Sequence, residues 1–327
     1  MTPESKRAPL VAIVGPTASG KSTLAVFLAA RLRGEVLACD STQLYRRFDI
    51  GTAKPSAEER RSVPHHLLDL LEPQEVFTAG DYRRRAIAVL EDLAARHNLP
   101  FFTVGAGLYF RALLDGLADA PARSEDLRQR LRRSAAERGT HYLHRMLEHL
   151  DASAAARIAP RDEPKLIRAI EITLLAGKPA TEVLRAGRAG LAGYRAIKIG
   201  LRPPRAALNA RIEARVGQML DSGWVEEVRR LMAQGIPADA KPFQFIGYSE
   251  LAAHLRGEAS LEAATRQIQQ ATRRYAKRQL TWFRRESQVE WLDGFGDADR
   301  IQCRALEYLQ GQLPGENSAP RGAGQGV

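Results

Sequence analysis

The residues Gly15-Pro16-Thr17-Ala18-Ser19-Gly20-Lys21-Ser22 have the types and spacing, G-x4-G-K-S, of a loop that holds a chain of phosphates. Glycines at both ends allow a tight path that points several backbone N–H groups at one spot, where a helix N-terminus also favours negative charge. Lys21 adds a compact positive charge, and the Ser22 hydroxyl is a hard oxygen suited to Mg2+. The flanking elements that such a loop needs are present. Residues 10–14 form an apolar run that reads as a buried strand, and 24–32 carry apolar residues at helical spacing. The loop alone leaves open whether its phosphates belong to a nucleotide.

A second group with chemical potential follows the next apolar run, residues 35–39, which ends in Asp40-Ser41-Thr42-Gln43. Ligands of open parallel sheets bind beyond the carboxyl ends of the strands, so Asp40 is placed to touch substrate or metal; capping a following helix is the structural alternative. Residues 99–104 read as another buried strand. That strand leads into Gly105-Ala106-Gly107 rather than into the acidic residue with which a phosphate-loop ATPase helps to hold its metal. Ordinary nucleotide hydrolysis is thereby disfavoured. His65 and His66 have no cysteine or third histidine nearby, which favours hydrogen bonding over metal ligation. Cys39 and Cys303 belong to no C-x2-C or Cys/His cluster, so neither a disulfide framework nor a zinc site is expected.

Around these loops the chain changes character twice. Residues 1–118 and 196–313 carry strand-like apolar runs, including 196–201, whereas 119–195 are charged and helical, with segments at 124–138, 141–150, 152–158 and 164–176. The expected architecture is α/β: a parallel sheet flanked by helices as in P-loop NTPases, interrupted by an all-helical insertion domain and ending in a disordered tail over 314–327. An amphipathic helix is expected over 81–96, capped by Thr78 or Asp81, and 208–232 should form two helices broken at Ser222-Gly223. Arg211 and Arg215 share a face there, suited either to clamping an anion or to surface pairing with acids.

Lys and Arg number 49 against 38 Asp and Glu, and 44% of the 327 residues are apolar. That composition supports a substantial core and a polyanionic partner, nucleic acid first among them. Basic residues concentrate at 272–285, where six of them accompany three aromatics and no acid, a mixture suited to phosphate contact and base stacking in RNA. Arg123, Arg128, Arg130, Arg132 and Arg133 recur along the first insertion helix, either as a solvated face or as a further RNA contact. No stretch approaches the roughly 18 apolar residues of a membrane span, so a cytoplasmic protein without membrane contact is expected; a monomer is expected as well.

Along nearly its whole length the sequence resembles the bacterial tRNA dimethylallyltransferase (tRNA isopentenyltransferase) family. The resemblance is carried by GPTASGKS (15–22), DSTQLYRRFDIGTAKP (40–55), PHHLLD (64–69), GLYFRALLDGL (107–117), ARIAPRDEPKLIRAIE (156–171), RIEARVGQMLDSGWVEEV (211–228), FIGYSEL (245–251) and TRRYAKRQLTWFRR (272–285). It implies a prenyltransferase, with ATP binding suggested by the motif alone. Its loop of Gly15, Pro16, Thr17, Ala18, Ser19, Gly20, Lys21 and Ser22 would hold the diphosphate of dimethylallyl diphosphate. The five-carbon group would pass to N6 of the adenosine 3′ of the anticodon, in tRNAs that read codons starting with U.

On this resemblance Asp40 is the general base, Lys21 and Arg215 stabilise the leaving group, and Ser22 ligates Mg2+. The tRNA-facing residues it implies are Asp40, Ser41, Thr42, Gln43, Ala106, Arg128, Pro164, Lys165, Leu166, Ile167, Arg168, Gln244, Phe245, Ile246, Gly247, Tyr248, Ser249 and Arg278. Two positions depart from the family. Ala106 stands where relatives usually carry Thr or Ser, and Lys165 where many carry Arg, which removes a bidentate fork. Two other readings are prenylation of free adenine nucleotides, against which the basic segments argue, and a nucleotide-dependent RNA-binding switch without transfer chemistry.

Overall fold

A computed structural model describes residues 7–185 and 188–313; the expected tail at 314–327 lies outside the described residues. Six strands, β1 (Ala8–Val14), β2 (Gly34–Cys39), β3 (His65–His66), β4 (Leu99–Val104), β5 (Tyr194–Leu201) and β6 (Val289–Leu292), form one sheet in the order β3-β2-β4-β1-β5-β6. Every pairing is parallel. Parallel strands lie under helices on both faces, which is why β1, β2 and β4 read as continuous apolar runs and are buried almost throughout. Close packing fixes one glycine: a Cβ on Gly34 would lie 2.3 Å from the Phe101 ring of the neighbouring β4.

The helix Lys21–Arg31 packs Leu24, Ala25, Leu28 and Ala29 into the core beside Ile301, Ala305 and Leu309 of the last helix, Asp299–Gln312. The helix expected over 81–96 spans Ala79–Ala95, and Thr78 and Asp81 form a reciprocal capping box, so both candidate caps act together. The break at Ser222-Gly223 separates helices Arg205–Asp221 and Trp224–Ala233, with Gly223 in the left-handed region at φ 93°. Strand β6 and the last helix have no counterpart in the sequence reading. A four-residue edge strand is too short to show a period.

Contacts divide the chain into two compact units, one of Met1–Leu113 with Gly193–Val327 and one of Leu114–Ala192. The second holds helices Glu125–Arg138, Thr140–Leu150, Ala152–Ala155, Glu163–Ala176 and Ala180–Arg185 around Leu131, Leu143, Leu147, Leu166 and Ile170. Its centre also contains a charge cluster. The fully buried Glu171 accepts two hydrogen bonds from Arg128, at 2.8 Å each, another from Arg168 at 2.6 Å and one from the Ser124 N–H.

A comparable cluster lies at the opposite end of the sheet from the phosphate loop. Glu35, buried at the start of β2, accepts from Arg96 and Asn98 ahead of β4 and shares a 2.6 Å hydrogen bond with His66 of β3. The hydrogen-bonding role expected for the histidines is met by this bond and by His65 Nδ1 on the Val63 carbonyl. Burial pushes the Glu35 carboxyl pKa up, but the hydrogen bonds from Arg96, His66 and Asn98 outweigh it and bring the value down to about 2. A depressed carboxyl stabilises the fold above its unfolded value and loses that contribution as pH falls toward the folded one. Glu35→Gln should therefore cost about 1–3 kcal/mol near neutral pH. The gap to the parent should close as pH falls from about 4.5 to about 2, which denaturant titrations across that range would measure.

Candidate active site

Beyond the carboxyl end of β1 the chain enters the phosphate loop, with Gly15 at φ 148°, Ala18 at 62° and Gly20 at 85°. The glycines answer to crowding as well as to conformation. A Cβ on Gly15 would lie 2.9 Å from the Leu201 carbonyl oxygen, and one on Gly20 would lie 2.8 Å from the Gly296 nitrogen. Gly296, in the turn after β6, also donates to the Ser19 carbonyl at 2.9 Å, so the C-terminal part of the chain braces the loop. Lys21 Nζ donates to the carbonyls of Gly15, at 3.0 Å, and Pro16, at 2.8 Å. Burial pulls its pKa down to about 8; the charge of Asp40 opposes that shift and the charge of Arg215 adds to it. The Ser19 hydroxyl is buried with no hydrogen-bond partner among the described residues, and Ser22 is exposed at the start of the helix.

Asp40 leaves the end of β2 half-buried, with Oδ1 accepting from the N–H of Thr42 at 2.8 Å and its hydroxyl at 2.7 Å. Its other oxygen lies over Gly105 at the end of β4: a Cβ there would come within 2.4 Å of Oδ2. The carboxylate also acts on Arg215, whose pKa is lowered by burial and by Arg211 and pushed back by Asp40 and Glu59. Lys21, Asp40 and Arg215 thus share one electrostatic neighbourhood.

Arg211 does not join them. Its guanidinium forms a two-bond fork on Asp297, at 2.8 and 2.6 Å, and stacks over Phe295, so the anion clamp allowed by sequence reduces to Arg215. Among the described residues Arg215 has no hydrogen bond or ion pair to protein. It lines a cavity of about 670 Å³ together with Ile50, Lys54, Arg60 and Met219. Lys54 there is held by Asp49, Asp69 and the Tyr45 carbonyl.

The RNA-facing candidates divide by exposure. Ser41 and Thr42 are half-buried beside Asp40, and the Gln43 amide is spent on the carbonyls of Thr52 and Ala53. Ala106 is half-buried next to Gly105, its N–H donating to the Cys39 carbonyl. Gln244, Ser249 and Arg278 are exposed, and Phe245 and Ile246 are half-buried. Gly247 and Tyr248 are core. Gly247 lies flat on Trp224, and the Tyr248 hydroxyl donates to the buried Glu227 at 2.7 Å. In the helical unit Pro164 and Lys165 are exposed, whereas Leu166 and Ile167 are buried and cannot offer side chains to a surface partner. Arg128 and Arg168, both tRNA-facing by the resemblance, are ion-paired to Glu171. Exposed Arg130 and Arg133 remain on that helix.

Sequence reasoning missed Gln279. The helix Leu261–Phe283 buries this amide, which accepts from the Thr17 N–H at 2.7 Å and donates to the Gly105 carbonyl at 3.0 Å. Its signal was a neutral polar residue between bases, weak against so strong a pattern of charge. Among the described residues no three His, Cys, Asp or Glu side chains are grouped to hold a metal.

A parallel sheet with a phosphate loop at one strand end and a carboxylate at another is the layout of a P-loop-fold enzyme. The IPP transferase family profile matches residues 43–286. The chain is 48% identical over 301 residues to a tRNA dimethylallyltransferase of Solibacter usitatus, covering 92% of this chain and 98% of that one. It is 50% identical over 305 residues to one of Koribacter versatilis, again covering 92% and 98%. The crystal structure of the tRNA isopentenylpyrophosphate transferase of Bacillus halodurans superposes with a TM-score of 0.69 at 39% identity, covering 96% of this chain and 98% of that one. The chain belongs to the IPP transferase family.

Lys21 makes this site sensitive to pH. Protonated Lys21 attracts an anion, so affinity for inorganic pyrophosphate should be greatest below the Lys21 pKa of about 8 and fall as pH rises through it. Lys21→Met should abolish that difference while keeping whatever pH dependence belongs to pyrophosphate itself. Calorimetric titrations at pH values on both sides of 8 check the expectation.

Proposed function

We propose that this protein transfers the dimethylallyl group of dimethylallyl diphosphate to N6 of the adenosine 3′ of the anticodon in tRNA. The observation that carries the reading is the Asp40 carboxylate, seated over Gly105 at the end of β4 and near enough to Lys21 of the phosphate loop for its charge to act on that lysine. The names of the relatives support the same chemistry. An exocyclic adenine amine is a poor nucleophile because its lone pair is delocalised into the ring, so a carboxylate able to take its proton assists. Nitrogen attacks the allylic carbon as the carbon–oxygen bond breaks. The new C–N bond forms, diphosphate departs with the bonding pair, and the N6 proton goes to Asp40.

Charge developing on the diphosphate is met by the loop N–H groups, Lys21 and Arg215, which has no hydrogen-bond or ion-pair partner among the described residues. A Mg2+ ion would be held by the Ser22 hydroxyl, an exposed hard oxygen at the helix start. When bound it would neutralise charge on the leaving group. The target base must be drawn out of its stack, which costs a few kcal/mol that contacts elsewhere offset. Arg274, Lys277, Arg278, Arg284 and Arg285 are exposed at the end of the long helix and available for those contacts, which favours tRNA over a free nucleotide as acceptor.

Incubation with labelled dimethylallyl diphosphate, Mg2+ and unmodified tRNA should place label on the adenosine 3′ of the anticodon; label on AMP in preference to tRNA would overturn the choice of acceptor. Asp40→Asn should lower kcat by about a hundredfold or more while tRNA affinity stays within about twofold. A matched loss of both would remove Asp40 from the role of base.

A further inference from the structure

We propose that Gln279 is a positioning residue for this transfer: its amide ties the phosphate loop to the end of β4, and so fixes the leaving-group site relative to the Asp40 carboxylate. The proposal rests on the prenyl-transfer reading above. The amide spans two places far apart in sequence, Thr17 in the loop and Gly105 after β4, at 2.7 and 3.0 Å. Its orientation is fixed by its partners. A backbone N–H can only donate and a carbonyl only accept, so Oε1 faces Thr17 and Nε2 faces Gly105.

Gly105 is also the residue on which Asp40 rests. Oδ2 occupies the space its side chain would fill, and its N–H donates to the carbonyl of Cys39, the residue before Asp40. One rigid path therefore runs from Thr17 through Gln279 and Gly105 to Asp40. Tyr275, one turn earlier on the same helix, adds a longer contact of 3.4 Å from its hydroxyl to the same Gly105 carbonyl. A buried amide is costly unless both of its ends are bonded, and an apolar side chain would pack this helix face at lower cost. The helix keeps the polar residue where two functional loops come together. A consequence is that the Thr17 N–H is already committed, so the diphosphate must be held by the other groups of the loop.

Two variants of the full chain test this. Gln279→Met keeps length and bulk but bonds to neither partner. Gln279→Glu keeps an acceptor for Thr17 and sets a second carboxylate oxygen against the Gly105 carbonyl. Three quantities are read: kcat and KM for prenyl transfer, affinity for inorganic pyrophosphate by calorimetry, and thermal midpoint. Loss of a buried hydrogen bond at the site should lower kcat and pyrophosphate affinity about tenfold in the Met variant, and further in the Glu variant, which brings negative charge to an anion site. KM for tRNA should stay within about twofold of the parent, because only the geometry of the leaving-group site is disturbed.

A fall in thermal midpoint with kcat and pyrophosphate affinity unchanged at temperatures where the variants stay folded would reduce Gln279 to a packing residue and overturn the proposal. An equal loss of tRNA affinity would do the same. Should the parent protein bind pyrophosphate but transfer no prenyl group, the functional reading fails. The pyrophosphate comparison still decides whether Gln279 shapes the loop.

Discussion

The sheet order places β4 between β1, which carries the phosphate loop, and β2, which carries Asp40. The two chemical groups therefore leave from strands that do not touch, and anything bulky at the end of the intervening strand would keep them apart. Gly105 is that end, and the missing side chain is the constraint on which the site depends. Asp40 Oδ2 lies where a Cβ would be, close enough that even alanine would force the carboxylate aside. Both backbone groups of Gly105 are also bonded, its N–H to Cys39 and its carbonyl to Gln279, so the gap is held open by structure on either side. The P-loop fold ordinarily places an acid at the end of such a strand. Here β4 ends in Gly105 instead, and the carboxylate that lies over it belongs to Asp40, after the neighbouring strand β2.

The distribution of cations follows from the same division between holding and acting. An arginine committed to a carboxylate gives up little to a ligand, because its forked donors are already filled. Arg211 braces the turn that supports the phosphate loop through Asp297, and Arg128 and Arg168 stitch the helical unit together through Glu171. Arg215, one helical turn from Arg211, has no hydrogen-bond or ion-pair partner among the described residues and feels the charges of Asp40 and Lys21. A desolvated guanidinium with open donors is unfavourable in the empty protein. That cost is recovered when an anion arrives, which is how a preorganised charge comes to stabilise a leaving group.

The sheet and the phosphate loop were legible in the sequence because both signals are local: apolar runs of strand length, and glycines at fixed offsets from a lysine. Asp40 could be placed for the same reason, as the residue directly after such a run. What the sequence could not give is partnership over long separations. Nothing in a row of arginines along 123–133 distinguishes Arg128, buried on Glu171, from the exposed Arg130 and Arg133; only the helix carrying Glu171 does so. Motif boundaries likewise say nothing about facing, so Leu166, Ile167 and Tyr248 fell inside stretches read as RNA-facing although they belong to the core. The bridge made by Gln279 spans 262 residues on one side and 174 on the other, beyond any windowed pattern.

The departure from the family at Ala106 can be weighed in the same terms. A hydroxyl at this half-buried position would add at most one hydrogen bond, about 0.5–1.5 kcal/mol. The geometry of the strand end does not depend on it, because the Ala106 N–H and the Gly105 N–H both donate to the Cys39 carbonyl at 2.9 Å. Those two bonds clip the end of β4 to the end of β2 immediately before Asp40. The backbone thus holds the Asp40 carboxylate in place whatever side chain residue 106 carries, and a lost hydroxyl removes a contact without moving it. Variation is tolerable at Ala106 and not at its neighbour, since a side chain on Gly105 would displace the carboxylate itself.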